Sequence, residues 1–318
     1  MFIKVTEDYP AKTTFEKKIL GKYFKQNPPC HKVKVLLAWR RKIDHAYISK
    51  FRNLKAVIRY GVGFDNVDLK VLKKRKIMLF NNPIYGVDEV SDTSLAMALN
   101  FCRRIGNYDQ LTKKILNKKK RKKNSLIKEI RRLKEMNFGI IGAGNIGSVL
   151  IKKTLPIFKN VAFYDPYKGR NFEKKLKCKK FYSLKNFLKW SDVVSLHITL
   201  NKKTNSLIDG KFLKYLGKKK ILINTSRYKL IKNIKTLKNA LDKKILIGIG
   251  LDIELDEIDG KDMKMLKQLS KSKKYGNKIL LSPHVAYYSK ESFVDMRINA
   301  TKTALNVFKG RYKKNRII

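Results

Sequence analysis

The sequence predicts a two-domain α/β protein built on parallel sheets, and three features carry that expectation. Short apolar runs alternate with helical stretches along most of the chain, the pattern of strands joined by crossover helices. The alternation runs twice, once up to about residue 107 and again from Asn137, with a strongly basic stretch between. The length of 318 residues suits two domains of roughly 100–200 residues each.

Taken in order, Met1-Phe2-Ile3-Lys4-Val5 reads as a first strand rather than a secretion signal. Strands follow at 32–37, at 54–60 ending on Gly61-Val62-Gly63, and at 77–80 ahead of a loop at Asn81-Asn82-Pro83. A single helix is expected from Asp88 to about Asn107. Asp88, Glu89 and Asp92 near its start and Arg103 and Arg104 near its end suit the helix dipole. The stretch 113–134 is the most basic in the chain. Its run Lys118-Lys119-Lys120-Arg121-Lys122-Lys123 reads as a solvated loop between domains, with a nucleic-acid patch as the alternative. The second series places strands at 138–141, 161–164, 193–197, 221–224, 245–251 and 279–281, enough for a complete doubly wound domain. The tail from about Lys290 is helical and is expected to pack back on the N-terminal half. The boundaries are then 1–106 with 287–318 for one domain and 107–286 for the other, inserted into it.

Lys and Arg number 75 against 25 Asp and Glu, a net charge of +50, which raises the question of a polyanionic partner. Sixty of those cations are Lys and 15 are Arg. They are scattered along the whole chain beside abundant Asn, Ile, Phe and Tyr, which reads as AT-rich codon usage rather than a built nucleic-acid surface. Cys30, Cys102 and Cys178 are too few and too far apart for a disulfide framework or a zinc site, and no histidines pair at metal-ligand spacing. No apolar run approaches the ~18 residues of a membrane span. A cytoplasmic protein without a metal is expected.

The segment Phe138-Gly139-Ile140-Ile141-Gly142-Ala143-Gly144-Asn145-Ile146-Gly147 runs from a strand into G-x-G-x-x-G. Gly142 permits the tight turn, Gly144 lets a pyrophosphate approach the backbone, and Gly147 allows close helix–strand packing. A helix over 148–155 would aim its first amides at the phosphates. Asp165, 18 residues beyond Gly147, ends the next strand, where a carboxylate accepts from ribose hydroxyls and repels a 2′-phosphate. The expected cofactor is NAD, although Lys168 and Arg170 nearby could tolerate a phosphate.

Three polar residues stand at the ends of later strands, where open α/β sheets bind ligands: Arg227, Glu257 and His284. A carboxylate beside the histidine would favour the charged imidazolium.

These motifs together resemble the D-isomer-specific 2-hydroxyacid dehydrogenase family nearly end to end. The resemblance rests on Gly61-Val62-Gly63-Phe64-Asp65-Asn66-Val67-Asp68, on Tyr85-Gly86-Val87-Asp88-Glu89-Val90-Ser91-Asp92, and on Ser191-Asp192-Val193-Val194-Ser195-Leu196-His197. Asn224-Thr225-Ser226-Arg227 and Ser282-Pro283-His284 follow in family order. Tyr85 and Arg131-Arg132-Leu133 lean toward the branch that includes C-terminal binding protein. The resemblance implies a Rossmann-like NAD-binding domain inserted in a discontinuous, flavodoxin-like substrate domain, a cleft between the two, and a homodimer. It implies that Arg227 grips the substrate carboxylate, that His284 is the general acid in reduction, and that Glu257 hydrogen-bonds His284. The Val62 and Gly63 amides would complete the carboxylate cradle. Asp252 would face the nicotinamide carboxamide, Ser94 the pyrophosphate, and Thr225 the cofactor.

The chain departs from the family in several places. Ile258 follows Glu257 where a proline is usual, Tyr228 replaces the glycine after the arginine, and Ala286-Tyr287 stands where glycines often follow the histidine. Lys232 and Asn233 replace an acidic pair. His197, ending a strand, reads as packing or cofactor wall. Two rival functions remain beside the dehydrogenase: an NAD-sensing corepressor-like binding protein, and a polyanion-binding protein using the +50 charge.

Overall fold

The computed structural model describes residues 1–118, 130–311 and 315–318, so most of the basic run 118–123 lies outside the described residues. The chain forms two compact units, Met1–Gly86 with Tyr288–Ile318, and Val87–Tyr287.

The first unit is built on four parallel strands, β1 (Phe2–Val5), β2 (Val33–Ala38), β3 (Ala56–Arg59) and β4 (Met78–Phe80), in the order β1-β2-β3-β4. With β2 on one side of β1, the parallel bridge between Ile3 and Phe24 lies on the other. Counting that bridge as a vestigial strand gives the order 2-1-3-4-5, the flavodoxin-like arrangement. The tail packs here as expected. Its helix Lys290–Phe308 opens on a capping box at Ser289 and Ser292, and buries Met296, Ala300 and Ala304 at four-residue spacing.

That helix also buries Arg297 against Glu16, which is fully inaccessible. Nη2 lies 2.6 Å from one carboxylate oxygen and Nε 3.1 Å from the other, which also accepts from the Tyr60 hydroxyl at 3.0 Å. The guanidinium sits over the rings of Phe15 and Tyr9 at 4.6 and 5.6 Å. A buried pair of this kind joins the two ends of the unit in sequence, and breaking one side strands a charge.

The second unit is a seven-stranded parallel sheet: β5 (Asn137–Ile141), β6 (Asn160–Tyr164), β7 (Lys179–Phe181), β8 (Val193–Leu196), β9 (Lys220–Asn224), β10 (Leu246–Asp252) and β11 (Ile279–Ser282). The order is β11-β10-β9-β8-β5-β6-β7, the doubly wound arrangement with its reversal between β5 and β8. Six of these strands were legible as apolar runs. β7 was not, because Lys-Lys-Phe at a sheet edge carries the charges that edges use against mispairing.

The expected single helix is two. Val87–Arg103 ends at Arg104, whose φ of +56° turns the chain before Ile105–Lys118 begins. Arg104 donates to the Ile247 carbonyl at 3.1 Å, and the Gly106 amide to Asn100 Oδ1 at 3.0 Å. Met97, Ala98, Phe101 and Cys102 pack with Phe138, Ile140, Ile221 and Ile223, so Val87–Arg103 belongs by packing with the second unit. The sheet accepts it through two glycines: a Cβ on Gly248 would lie 2.5 Å from Phe101, and one on Gly250 2.9 Å from Met97 sulfur. The division in packing terms therefore falls at 86/87 and 287/288, against the expected 106/107 and 286/287.

Replacing either Glu16 or Arg297 by Ala should lower stability by about 3–5 kcal/mol, the usual cost of an orphaned buried charge. The double variant should cost much less than the sum of the two. Urea unfolding of the four proteins checks this, and additive losses would mean that the pair is not coupled.

Candidate active site

The glycine turn takes its shape from contacts that no side chain could share. Gly142 has φ +93°, and a Cβ there would meet the His197 carbonyl oxygen at 2.3 Å. A Cβ on Gly147 would lie 1.9 Å from the Gly142 carbonyl oxygen. Gly144 has nothing within 4 Å of its Cβ position, the open space that a pyrophosphate requires. The following helix is Asn145–Thr154, starting three residues earlier than expected, with Gly144 and Asn145 exposed at its N-terminus and Ile146 half-buried behind them.

Asp165 follows β6 and reaches back to this turn. Its Oδ2 accepts from the Ala143 amide and its Oδ1 from the Tyr167 amide, each at 2.9 Å. Each oxygen retains a lone pair for a ribose hydroxyl. His197 follows β8 with Nε2 2.8 Å from Ser195 Oγ, and burial pushes its pKa down to about 3, so the ring is neutral. It forms part of the wall around Gly142. Ser94 and Thr225 meet each other in the interior, hydroxyl to hydroxyl at 2.9 Å. Ser94 gives its proton to the Val90 carbonyl at 2.7 Å, which leaves Thr225 as the donor between them.

The ends of β9, β10 and β11 bring together three charged or ionisable side chains expected from sequence. Arg227 Nη1 lies 3.4 Å from His284 Nε2, and Arg227 Nε lies 3.7 Å from Glu257 Oε1. The turn carrying Arg227 is organised by Asn224, whose Nδ2 donates to the Arg227 carbonyl at 2.8 Å and whose Oδ1 accepts from the Ser226 amide at 3.0 Å.

The carboxylate measured beside His284 Nδ1 is that of Asp252, at 3.5 Å. Asp252 is 1% exposed and ends β10, paired in register with Ser282 of β11. It accepts from Ser282 Oγ at 2.5 Å and from the Val285 and Ala286 amides at 2.9 and 3.1 Å. Burial works to raise its pKa, but His284, Ser282 and the Val285 amide outweigh that and hold it below the usual carboxylate value. The two amides reach the same carboxylate because His284, just before them, adopts φ +53°, a left-handed conformation that turns successive N–H groups toward one anion. Sequence reasoning assigned Asp252 to the cofactor and missed this anchoring role. Its place at the end of a strand beside Ser282-Pro283-His284 was the available signal.

Tyr228 does not face the site. It is 5% exposed, packed with the apolar core of its unit, and its hydroxyl donates to Asp262. Tyr287 keeps its ring centroid 6.2 Å from that of His284.

In the first unit, three donors fix the Gly61-Val62-Gly63 loop by its carbonyls. The Asn82 amide donates to Gly61 at 3.2 Å, Asn81 Nδ2 to Val62 at 2.9 Å, and Arg59 Nε to Gly63 at 3.1 Å. The Val62 and Gly63 amides make no hydrogen bond among the described residues. The Asn81-Asn82 pair after β4 is a second feature that the sequence reading recorded only as a loop.

Residues 95–286 match the family model described as D-isomer specific 2-hydroxyacid dehydrogenase, NAD binding domain. C-terminal-binding protein 1 of Caenorhabditis elegans is 28% identical over 274 residues, which is 85% of this chain but 36% of that protein. Glyoxylate reductase of Korarchaeum cryptofilum is 29% identical over 250 residues, 79% of this chain and 72% of that protein. A D-lactate dehydrogenase of Aquifex aeolicus, solved with NAD and lactic acid, superposes with a TM-score of 0.81 at 26% identity, covering 100% of this chain and 99% of that one.

Because its folded pKa is depressed, Asp252 contributes stability above the ordinary carboxylate range, and that contribution is lost as the pH falls through it. Asp252→Asn should therefore be less stable than wild type at pH 7, and the gap should narrow on going to about pH 3. Melting temperatures across that range check this. A gap independent of pH would show that the charge is not what holds the loop.

Proposed function

The chain belongs to the D-isomer-specific 2-hydroxyacid dehydrogenase family, and from that premise we propose that it transfers a hydride between NAD and C2 of a small 2-hydroxy or 2-oxo acid. The observation that carries this reading is the meeting of Arg227 and His284 at 3.4 Å on the ends of β9 and β11. One cation and one proton donor are what reduction of a 2-oxo acid asks of a protein. The open glycine turn and Asp165 suit the dinucleotide, and when bound NADH supplies the hydride.

Arg227 would bind the carboxylate through its planar fork and draw electron density from the adjacent carbonyl. His284 Nε2 would pass a proton to the carbonyl oxygen as C2 receives the hydride, and take it back in oxidation. Glu257 at 3.7 Å steadies the guanidinium, while Asp252 holds the imidazole from the Nδ1 side. The corepressor-like alternative is not favoured, since the glyoxylate reductase is matched over twice the fraction of its length. Among the described residues no helix is long and apolar enough to cross a membrane. We further propose a cytoplasmic homodimer, which light scattering tests.

A panel of glyoxylate, pyruvate, hydroxypyruvate and larger 2-oxo acids, followed by loss of NADH absorbance, should reveal at least one substrate. No turnover with any member would sink the reading. With that substrate, Arg227→Lys should lose about 10–100-fold in kcat/KM, the worth of a charge-assisted bidentate bond, with NADH affinity kept.

Asp165→Ala should weaken NADH binding and narrow the preference for NADH over NADPH, because it removes both the ribose acceptor and the repulsion of a 2′-phosphate. Unchanged relative efficiency with the two cofactors would remove Asp165 from that role.

A further inference from the structure

Tyr228 stands where the family resemblance calls for glycine, next to the arginine proposed to grip the substrate. Arg227 is in extended conformation, with φ −143° and ψ 144°, so the side chains of 227 and 228 leave the backbone in opposite directions. Arg227 goes toward His284 and Glu257, and Tyr228 goes into the core formed with Ile231, Ile253, Ile258 and Leu266. Its hydroxyl donates to Asp262, which is 8% exposed in the first turn of helix Gly260–Lys271. That helix begins three residues after Glu257, and its cap Asp259 accepts from the Asp262 amide at 2.8 Å. The segment 254–262 is therefore one short, internally bonded piece: Glu257 and Ile258 donate to the carbonyls of Glu254 and Leu255, and Asp259 caps the helix.

Two segments are thus joined twice. Arg227 meets Glu257 on the side of the site, and Tyr228 meets Asp262 on the side of the core. A glycine at 228 could make only the first link. The core link is buried at both ends, where a charge-assisted hydrogen bond is strong and geometrically demanding. The site link is longer, at 3.7 Å, and its partners are each about one-fifth exposed.

We propose that Tyr228 is a positioning residue, and that its bond to Asp262 sets the distance between Arg227 and Glu257 and so the aim of the guanidinium at the substrate carboxylate. This deepens the dehydrogenase reading and rests on the role given there to Arg227. It also explains how the chain carries a tyrosine at this place without filling the site.

Tyr228→Phe keeps the buried ring and removes only the donor. With the substrate found in the panel, KM should rise about tenfold, since small misplacements of a positioning group are costly. The change in kcat should stay within about threefold, and NADH affinity should not move, the pattern of lost ground-state alignment. Asp262→Ala should reproduce these values, Asp262→Asn should largely restore the wild-type KM because it keeps an acceptor, and the double variant Tyr228→Phe/Asp262→Ala should be no worse than either single one. A purely structural tyrosine would instead lower the melting temperature and leave KM unchanged well below it, which overturns the proposal. The rate at which phenylglyoxal modifies Arg227, followed by peptide mass, reads the same link without turnover and should increase severalfold in Tyr228→Phe. If the wild type reduces no 2-oxo acid, the dehydrogenase reading falls, and this modification rate alone decides for or against the link.

Discussion

Much of the second unit's chemistry depends on how one buried carboxylate is satisfied. Asp252 cannot remain charged at 1% exposure without donors, because moving a lone carboxylate out of water costs several kcal/mol. Its donors come from the five residues 282–286, a hydroxyl and two amides, with an imidazole nitrogen 3.5 Å away. Satisfying Asp252 and shaping that stretch are therefore the same event. The left-handed backbone at His284, which costs a non-glycine residue on the order of 1–2 kcal/mol, is offset because it is what aims the two amides at the carboxylate. The imidazole is fixed from one side by this arrangement and meets Arg227 on the other.

Parallel strands make such convergence inexpensive. β9, β10 and β11 are neighbours in register, so their carboxyl ends stand about 4.8 Å apart, within reach of one another's side chains. Asn224, Asp252 and Ser282 are the last residues of those three strands; Asn224 organises the turn after β9, and Asp252, bonded to Ser282, organises the turn after β11. The side chains proposed to react lie one turn beyond, on backbone whose course these polar residues dictate. The same sheet must also accept helix Val87–Arg103 on its face. Gly248 and Gly250 in β10 make that possible, so the strand that ends in Asp252 is also the one thinned to receive Phe101 and Met97.

What was legible in the sequence follows from this division of labour. Strands that are buried on both faces read as apolar runs, and the glycine turn reads from spacing, because each glycine there answers a steric demand within a few residues. The ends of β9, β10 and β11 were equally visible as places where polar residues follow apolar ones. Which carboxylate serves which partner was not visible. Asp252 and Glu257 lie five residues apart, separated by the turn Leu255–Glu257, and only the register of β10 on β11 puts Asp252 against His284 while Glu257 faces Arg227. The direction of Tyr228 was hidden for a similar reason. A tyrosine in place of a glycine beside Arg227 has no direction in the sequence, and only the extended backbone at 227 shows that the two side chains part company. The break at Arg104 escaped because its surroundings keep helical periodicity on both sides.

The charge of the chain sharpens the same point. Cations outnumber acids 75 to 25, yet the four buried acids among the described residues are served almost entirely by groups other than lysine. Glu16 takes Arg297 and Tyr60, Asp165 takes two amides, Asp252 takes Ser282, His284 and two amides, and Asp262 takes Tyr228. Lys4 is the single lysine among the buried described residues. A lysine ammonium is compact, strongly hydrated and carried on a flexible stem, so it loses more on burial than a guanidinium, a hydroxyl or a backbone amide. Where lysines do pair, as Lys153 with Asp88 and Asp92 or Lys274 with Asp242, the partners are partly exposed, and such pairs contribute about 0–1 kcal/mol each. A large excess of lysine can thus be carried outside the interior, while the fold rests on a few buried acids, none of which a lysine could hold as well.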